Sequence, residues 1–282
     1  MTYLMSAVLG FVQGVAEFLP ISSSGHLTLL QHFFGLQEVD NLFNILLHFA
    51  TLLAVCIYYF QDVLEMIVEF FRAIGDMVSR HPTRGNPPEA RRLVLLIIVG
   101  TLPLFVVMLF KDRVEALGDN PVFVSCALLV TGCILFWSDR MATGRKTARN
   151  ATLTDVLLVG VAQGCATVPG LSRSGCTISA GMAAGFDREF AVRYSFLLSL
   201  PAVLGATLLE VKDVAGDGIS SELLPKYLLG MIIAGVVGYF SIRLVNLLAA
   251  KGKFGAFAYY CWTVGVVFLI LSLTGWTMAP AM

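Results

Sequence analysis

Six uninterrupted apolar runs, at about 42 to 60, 93 to 110, 121 to 138, 190 to 211, 226 to 249 and 256 to 275, dominate this chain. Each approaches the roughly 20 helical residues that cross a hydrocarbon core of about 30 Å. Inside lipid no water is at hand for backbone N–H and C=O groups, so runs of this kind are expected to be helical. The charges agree: 13% of residues are charged, against about 25% in soluble domains, and they gather between the apolar runs. The sequence therefore predicts an all-α polytopic membrane protein, a single integral membrane domain over residues 1–282, with lipid as its surroundings. A formal net charge of +0, without a basic stripe interleaved with aromatics, excludes nucleic acid as a partner. The six cysteines lie within apolar segments without metal-ligand spacing and read as reduced thiols. Met1 to Gly10 lacks the basic n-region and cleavage site of a signal peptide, so the first apolar stretch is expected to stay in the mature protein.

Two further apolar regions, 3 to 36 and 154 to 186, are broken midway by Pro20-Ile-Ser-Ser-Ser-Gly25 and by Pro169-Gly-Leu-Ser-Arg-Ser-Gly175. Each half is too short to span, and non-helical backbone at membrane depth needs protein or a polar cavity around it, so both regions read as re-entrant helix-loop-helix pairs. The two regions match without gaps at an offset of 150. Gly10, Gln13, Gly14, Ala16, Ser22, Ser24 and Gly25 fall on Gly160, Gln163, Gly164, Ala166, Ser172, Ser174 and Gly175. The chain thus reads as a duplication, repeat one at about 1–150 and repeat two at about 151–282. Each repeat holds one re-entrant pair and three transmembrane helices. An odd number of crossings inverts the second repeat relative to the first, giving an inverted-topology repeat with six transmembrane helices in all.

With that topology, one side collects Arg72, Arg80, Arg84, Arg91, Arg92, Arg140, Arg145, Lys146, Arg149, Arg188, Lys251 and Lys253, and the other only Lys111, Arg113, Lys212 and Lys226. The positive-inside rule places the first group in the cytoplasm. Both termini and the first re-entrant pair then face outward, and the second pair enters from the cytoplasm to meet the first near the midplane. The charged stretch 61 to 92, with Glu65, Glu69 and Arg72 beside Met66, Phe70 and Phe71, fits either an interfacial amphipathic helix or a cytoplasmic loop.

Ionisable groups inside apolar segments are costly and point to function. Glu17, His26 and Arg173 stand out because they concentrate in the two symmetry-related turns. Each turn also sets serines at the start of the following helix, where hydroxyls cap free N–H groups and the helix dipole favours an anion. Two such N-termini meeting with an arginine between them make a phosphate-sized anion site. Ser23 as nucleophile, His26 as proton carrier and Glu17 as a metal ligand then supply what phosphate ester or anhydride cleavage needs. The plainer alternatives are that the serines are simple N-caps and that Arg173 pairs structurally with Glu17. His32 and His48 read as structural side chains and His81 as a solvated loop residue, while Arg193, Arg243 and Glu210, near span ends, read as snorkelling.

At these residues the chain resembles the bacterial undecaprenyl-diphosphate phosphatase family, the type associated with bacitracin resistance. One signature reads Gln13-Gly-Val-Ala-Glu17-Phe-Leu-Pro-Ile-Ser22-Ser23-Ser24-Gly25-His26, the other Pro169-Gly170-Leu-Ser172-Arg173-Ser174-Gly-Cys-Thr177. The resemblance extends along the chain, including Tyr194-Ser-Phe-Leu-Leu-Ser-Leu-Pro201. It implies a multi-pass enzyme of the bacterial cytoplasmic (inner) membrane, open to the periplasmic side. Its implied reaction is hydrolysis of undecaprenyl diphosphate, a polyprenyl diphosphate lipid, to the monophosphate and inorganic phosphate, recycling the carrier for peptidoglycan. Glu17, Ser23, His26 and Arg173 would be the catalytic residues, with Ser22, Ser24, Ser172, Ser174 and Thr177 lining the phosphate site. The resemblance also implies a divalent cation, Mg²⁺ or Ca²⁺, held by Glu17. Gln13, where the best-known members carry Glu, would be its second ligand.

On fold alone a polyprenyl-phosphate or anion transporter, or flippase, is the competing function, since inverted repeats with broken helices are usual there. Pairing of a nucleophile with histidine favours the enzyme. Gly181-Met-Ala-Ala-Gly185 and Gly230-Met-Ile-Ile-Ala-Gly235 suit close helix approach, either in a homodimer or within one protomer.

Overall fold

The computed structural model describes residues 1–33, 41–78, 87–141, 144–214 and 222–275, without the side chains of residues 41 and 209–214. His81, Arg80, Arg84 and the C-terminal residues 276–282 lie outside the described residues, as do the side chains of Glu210 and Lys212. The six apolar runs become α3 (Asn41–Tyr58), α5 (Glu89–Met108), α7 (Pro121–Ser138), α10 (Arg188–Val214), α11 (Leu224–Ala250) and α12 (Ala256–Leu273). Five of these are long and apolar enough to cross a membrane unaided. The sixth crossing comes from α3, which continues into α4 (Phe60–Val78) across an 89° bend. Its 18 residues reach about 27 Å.

The two interrupted regions form α1 (Tyr3–Ala16) with α2 (Ser23–Phe33), and α8 (Leu153–Cys165) with α9 (Arg173–Ala183). These helices have 14, 11, 13 and 11 residues, about 16 to 21 Å each, too short to span. The first helix of each pair starts alike: Thr2 caps α1 by accepting from the Met5 N–H, and Thr152 caps α8 by accepting from the Asp155 N–H. Between α5 and α7 lie the short α6 (Lys111–Glu115) and a 3-10 turn over Ala116–Asp119.

Of the two readings of 61 to 92, the amphipathic helix is the one formed, as α4. It leaves Ile67, Phe71 and Met77 exposed, an apolar face suited to the lipid boundary. Its polar side is held to the start of α5, where Arg91 bridges Glu69 at 2.9 Å and Asp76 at 2.5 Å. Hydrogen bonds from Arg72 and then Arg91 hold the Glu69 carboxyl below the usual carboxylate range. Large apolar side chains elsewhere, among them Phe105, Leu109, Ile232, Phe240 and Ile270, are exposed, far more apolar surface than a soluble monomer presents.

The repeats interlock. α1 packs on α11 and α8 on α5, so the broken pair of each repeat rests on a span of the other, while α3 meets α10 and α7 meets α12. The crossings use matching glycines: a Cβ on Gly10 would strike the Gly230 carbonyl, and one on Gly160 the Gly100 carbonyl. Both small-residue runs are thus engaged within the protomer, Gly230 by Gly10 and Phe43 and Gly181 by Phe186 and Ala191. Because the atom struck is backbone, relief requires α8 to move off α5. Gly160→Ala is expected to cost about 1–3 kcal/mol and to lower the thermal midpoint in detergent. Gly75→Ala, with nothing within 4 Å on α4, is expected to leave it unchanged or raised. Equal midpoints for both variants would refute the close crossing.

Tyr194 ties α10 to α5 by donating to the Leu96 carbonyl at 2.7 Å. All six cysteines are free, Cys126, Cys133 and Cys165 exposed and Cys176 and Cys261 buried. Arg193 does not snorkel: its guanidinium pairs with Asp62 and approaches Glu89 at 3.9 Å.

Candidate active site

The two broken pairs meet turn to turn. A Cβ on Gly25 would lie 3.0 Å from the Gly170 Cα, and one on Gly175 would lie 3.3 Å from the Pro20 Cβ. Pro20 and Gly170 are themselves equivalent at the offset of 150, so each helix start abuts the turn of the other repeat. Ser22 and Ser172 cap these starts, each Oγ accepting from a glycine N–H, Gly25 or Gly175, at 3.1 Å.

The turns differ in backbone conformation. Among the described residues Ser22 is the only non-glycine residue at positive φ, 70°, whereas its equivalent Ser172 has φ −83° and the second turn places its positive φ, 93°, at Gly170. A left-handed serine costs on the order of 1–3 kcal/mol and persists where its surroundings hold it. Here His26 does much of the holding: its backbone N–H donates to the Ser22 carbonyl at 3.2 Å and its Nδ1–H at 2.8 Å. Nδ1 being the donor, Nε2 accepts from the Tyr260 hydroxyl of α12 at 2.9 Å.

Glu17 follows the last residue of α1 and is buried. A buried carboxylate needs compensation from charge and hydrogen bonds, and this one has four neighbours. Its Oε1 pairs with the Arg173 guanidinium. Its Oε2 accepts from Ser23 Oγ at 2.7 Å and from Gln13 Nε2 at 3.0 Å, with His48 Nε2 at 3.7 Å. Ser23 and Arg173 are equivalent residues, each the first of its helix, so one carboxylate is gripped from both repeats at once. The structural pairing of Arg173 with Glu17 and the convergence of Glu17, Ser23 and Arg173 are therefore one arrangement.

Glu17, Ser23 and Arg173 face a cavity of about 380 Å³, together with Ser24, Ser172 and His48. Its other wall is apolar, with Leu104 and Val107 of α5 and Ala202, Val203 and Ala206 of α10, and it reaches α6, where Lys111 and Glu115 line it. Ser22, Ser174 and Thr177 are not among its lining residues. Ser22 is occupied as a cap; Ser174 Oγ donates to the Leu19 carbonyl at 3.3 Å; Thr177 Oγ1 lies 2.8 Å from the Arg173 carbonyl and 2.5 Å from Ser195 Oγ. His26 points to Tyr260 and Gln13 stands behind Glu17, both outside the lining.

Among the lining residues that did not emerge as site residues from the sequence are His48 and Gln163. Asn44, His48 and Thr51 are polar at helical spacing in an apolar run, and of these His48 lines the cavity. Gln163 was visible as the repeat equivalent of Gln13.

Among the described residues there is no group of three or more His, Cys, Asp or Glu able to cage a metal ion. A cation that takes one carboxylate and completes its shell with phosphate oxygens and water asks less of the protein. Glu17, the carboxylate beside Ser23 and Arg173 in the cavity, fits that mode.

A family model described as bacitracin resistance protein BacA matches residues 6–267. A relative from Methanosphaera stadtmanae named undecaprenyl-diphosphatase is 40% identical over 274 residues, covering 96% of this chain and 98% of its own. One of the same name from Alkaliphilus metalliredigens is 40% identical over 275 residues, covering 97% and 100%. Another from Carboxydothermus hydrogenoformans is 39% identical over 279 residues, covering 98% and 99%. Since the family match takes in both turns that meet at Glu17, five crossings whole and the greater part of α12, the chain belongs to the bacitracin resistance protein BacA family.

Proposed function

We propose that this protein hydrolyses undecaprenyl diphosphate to undecaprenyl phosphate and inorganic phosphate, recycling the lipid carrier for peptidoglycan synthesis. The observation that carries the reading is Ser23 and Arg173 converging on Glu17 in a cavity with an apolar far wall. The name shared by full-length relatives supports it. The polar side and the apolar wall of the cavity match the two halves of a prenyl diphosphate. The chain resides in the bacterial cytoplasmic membrane with its termini outside. The cavity opens outward, because it reaches α6 on the side poor in lysine and arginine.

Arg173 forks onto the terminal phosphate, giving up part of its contact with Glu17, and the two helix N-termini add their positive ends. Ser23 Oγ, 2.7 Å from Glu17 Oε2, passes its proton to that carboxylate and attacks the terminal phosphorus. The Oγ–P bond forms as the bridging P–O bond breaks, and its electron pair leaves on undecaprenyl phosphate. Glu17 passes that proton to the departing phosphate oxygen; it then deprotonates water, which attacks the phosphoserine, and returns the proton to Ser23 Oγ as the Oγ–P bond breaks and phosphate is freed. A divalent cation, Mg²⁺ or Ca²⁺, held by Glu17 would supply neutralising charge to the departing phosphate.

His26 acts in this scheme by holding the Ser22 carbonyl and so aiming Ser23. His26→Gln, which removes the ring but keeps a polar side chain, is expected to lower kcat about 10- to 100-fold. If it instead abolishes turnover and a phosphoryl group is trapped in acid-labile form on wild-type His26, histidine is the nucleophile and Ser23 is not.

The test of the function is phosphate release from undecaprenyl diphosphate by detergent-purified protein, with and without chelator, beside Glu17→Gln. Wild type should turn over and the variant lose about 10³-fold, with the chelator lowering the wild-type rate. Lipid translocation without phosphate release would establish a flippase instead.

A further inference from the structure

Gln163 is 2% exposed, yet neither its amide nitrogen nor its amide oxygen has a hydrogen-bond partner within the protein. Buried amides are almost always paired, because an unpaired one forfeits its hydration for nothing. Gln163 also lines the cavity.

The repeat explains how the orphan arises. In the first repeat Gln13 Nε2 donates to Glu17 at 3.0 Å. In the second, the equivalent of Glu17 is Thr167, whose hydroxyl turns to the Gly164 carbonyl at 2.8 Å, so Gln163 has no carboxylate to serve. The glycines Gly160 and Gly164 bring this part of α8 onto α5 at Gly100 and Val107, and Val107 belongs to the apolar wall. Gln163 is therefore next in the chain to the glycine that meets this apolar wall.

We propose that Gln163 is the binding residue for the phosphate that stays on the lipid, its Nε2–H donating to an oxygen of that group while Arg173 and Ser23 hold the phosphate that leaves. The assignment rests on the diphosphate reading and extends it. It makes the second repeat's spare glutamine the element that distinguishes a prenyl diphosphate from a lone phosphate.

The test compares wild type with Gln163→Met, which keeps the shape and removes the donor, and with Gln163→Glu, which keeps the shape and adds repulsion. Three quantities are read: thermal midpoint, binding of a methylene-bridged undecaprenyl diphosphate analogue, and competition by inorganic phosphate. Gln163→Met should weaken the analogue roughly tenfold or more, Gln163→Glu further still, with inorganic phosphate unaffected and the Gln163→Met midpoint unchanged or higher. Unchanged analogue affinity, or equal loss for analogue and inorganic phosphate with a lower midpoint, overturns the assignment in favour of a packing role. The binding arms need no turnover. If wild type binds the analogue through Gln163 but releases no phosphate, the subsite stands and hydrolysis falls. If wild type hydrolyses and Gln163→Met binds normally, hydrolysis stands and the subsite falls.

Discussion

Ser23→Ala is expected to reduce kcat/KM for undecaprenyl diphosphate by about 10⁴-fold, on the order of 5 kcal/mol of transition-state stabilisation. It should also abolish an acid-stable phosphoenzyme that rapid quench detects in wild type. The substitution is clean for a structural reason. The cap of α2 is Ser22, not Ser23, since Ser22 Oγ accepts the Gly25 N–H. Glu17 still receives Gln13 Nε2 and the Arg173 guanidinium when the Ser23 hydroxyl is removed. The thermal midpoint should therefore hold while turnover collapses. Ser24→Ala, at a lining residue without contact to Glu17 among its hydrogen bonds, should cost no more than about tenfold. If Ser23→Ala keeps wild-type turnover, water is the attacking group and Glu17 its base.

Arg173→Gln is expected to cost about 10³-fold or more in kcat/KM, the range seen when a guanidinium is withdrawn from a transferring phosphoryl group. It also costs stability, because Glu17 is buried and loses its strongest compensating charge. Breaking a buried pair from one side typically costs about 3–5 kcal/mol. The two effects separate in a double variant. Arg173→Gln with Glu17→Gln removes both charges, so stability should return toward wild type while activity does not. Arg173→Lys keeps the charge but not the fork, so it should restore more stability than activity. Recovery of turnover in the double variant would reduce Arg173 to a structural counter-ion.

The match at an offset of 150 announced in advance that Ser23 and Arg173 occupy equivalent places, and the structure sets both at the first position of their helices. The run lengths foretold the crossings, and the broken segments foretold the two pairs, since bilayer thickness and backbone satisfaction act on local sequence. α4 was legible only as one of two options, because an amphipathic stretch becomes a helix when it has a surface to lie on and Arg91 to hold it.

The direction of individual side chains was not legible. His26, three residues after Ser23, was expected to pair with it and instead faces Tyr260, while His48, read as structural, approaches Glu17. Ser22, Ser174 and Thr177 belong to the expected turns, but their hydroxyls serve a cap, a tie to the Leu19 carbonyl of the first turn and a tie to Ser195 of α10.

What the sequence determined by itself was the membrane as solvent, the duplication and the two polar turns, all properties of contiguous stretches. Only the tertiary structure decided which groups share one cavity. Glu17 meets Arg173 across 156 residues because the glycine crossings of α1 on α11 and α8 on α5 press the two turns together. That depends on the shapes of surfaces far apart in the chain, which no local pattern encodes.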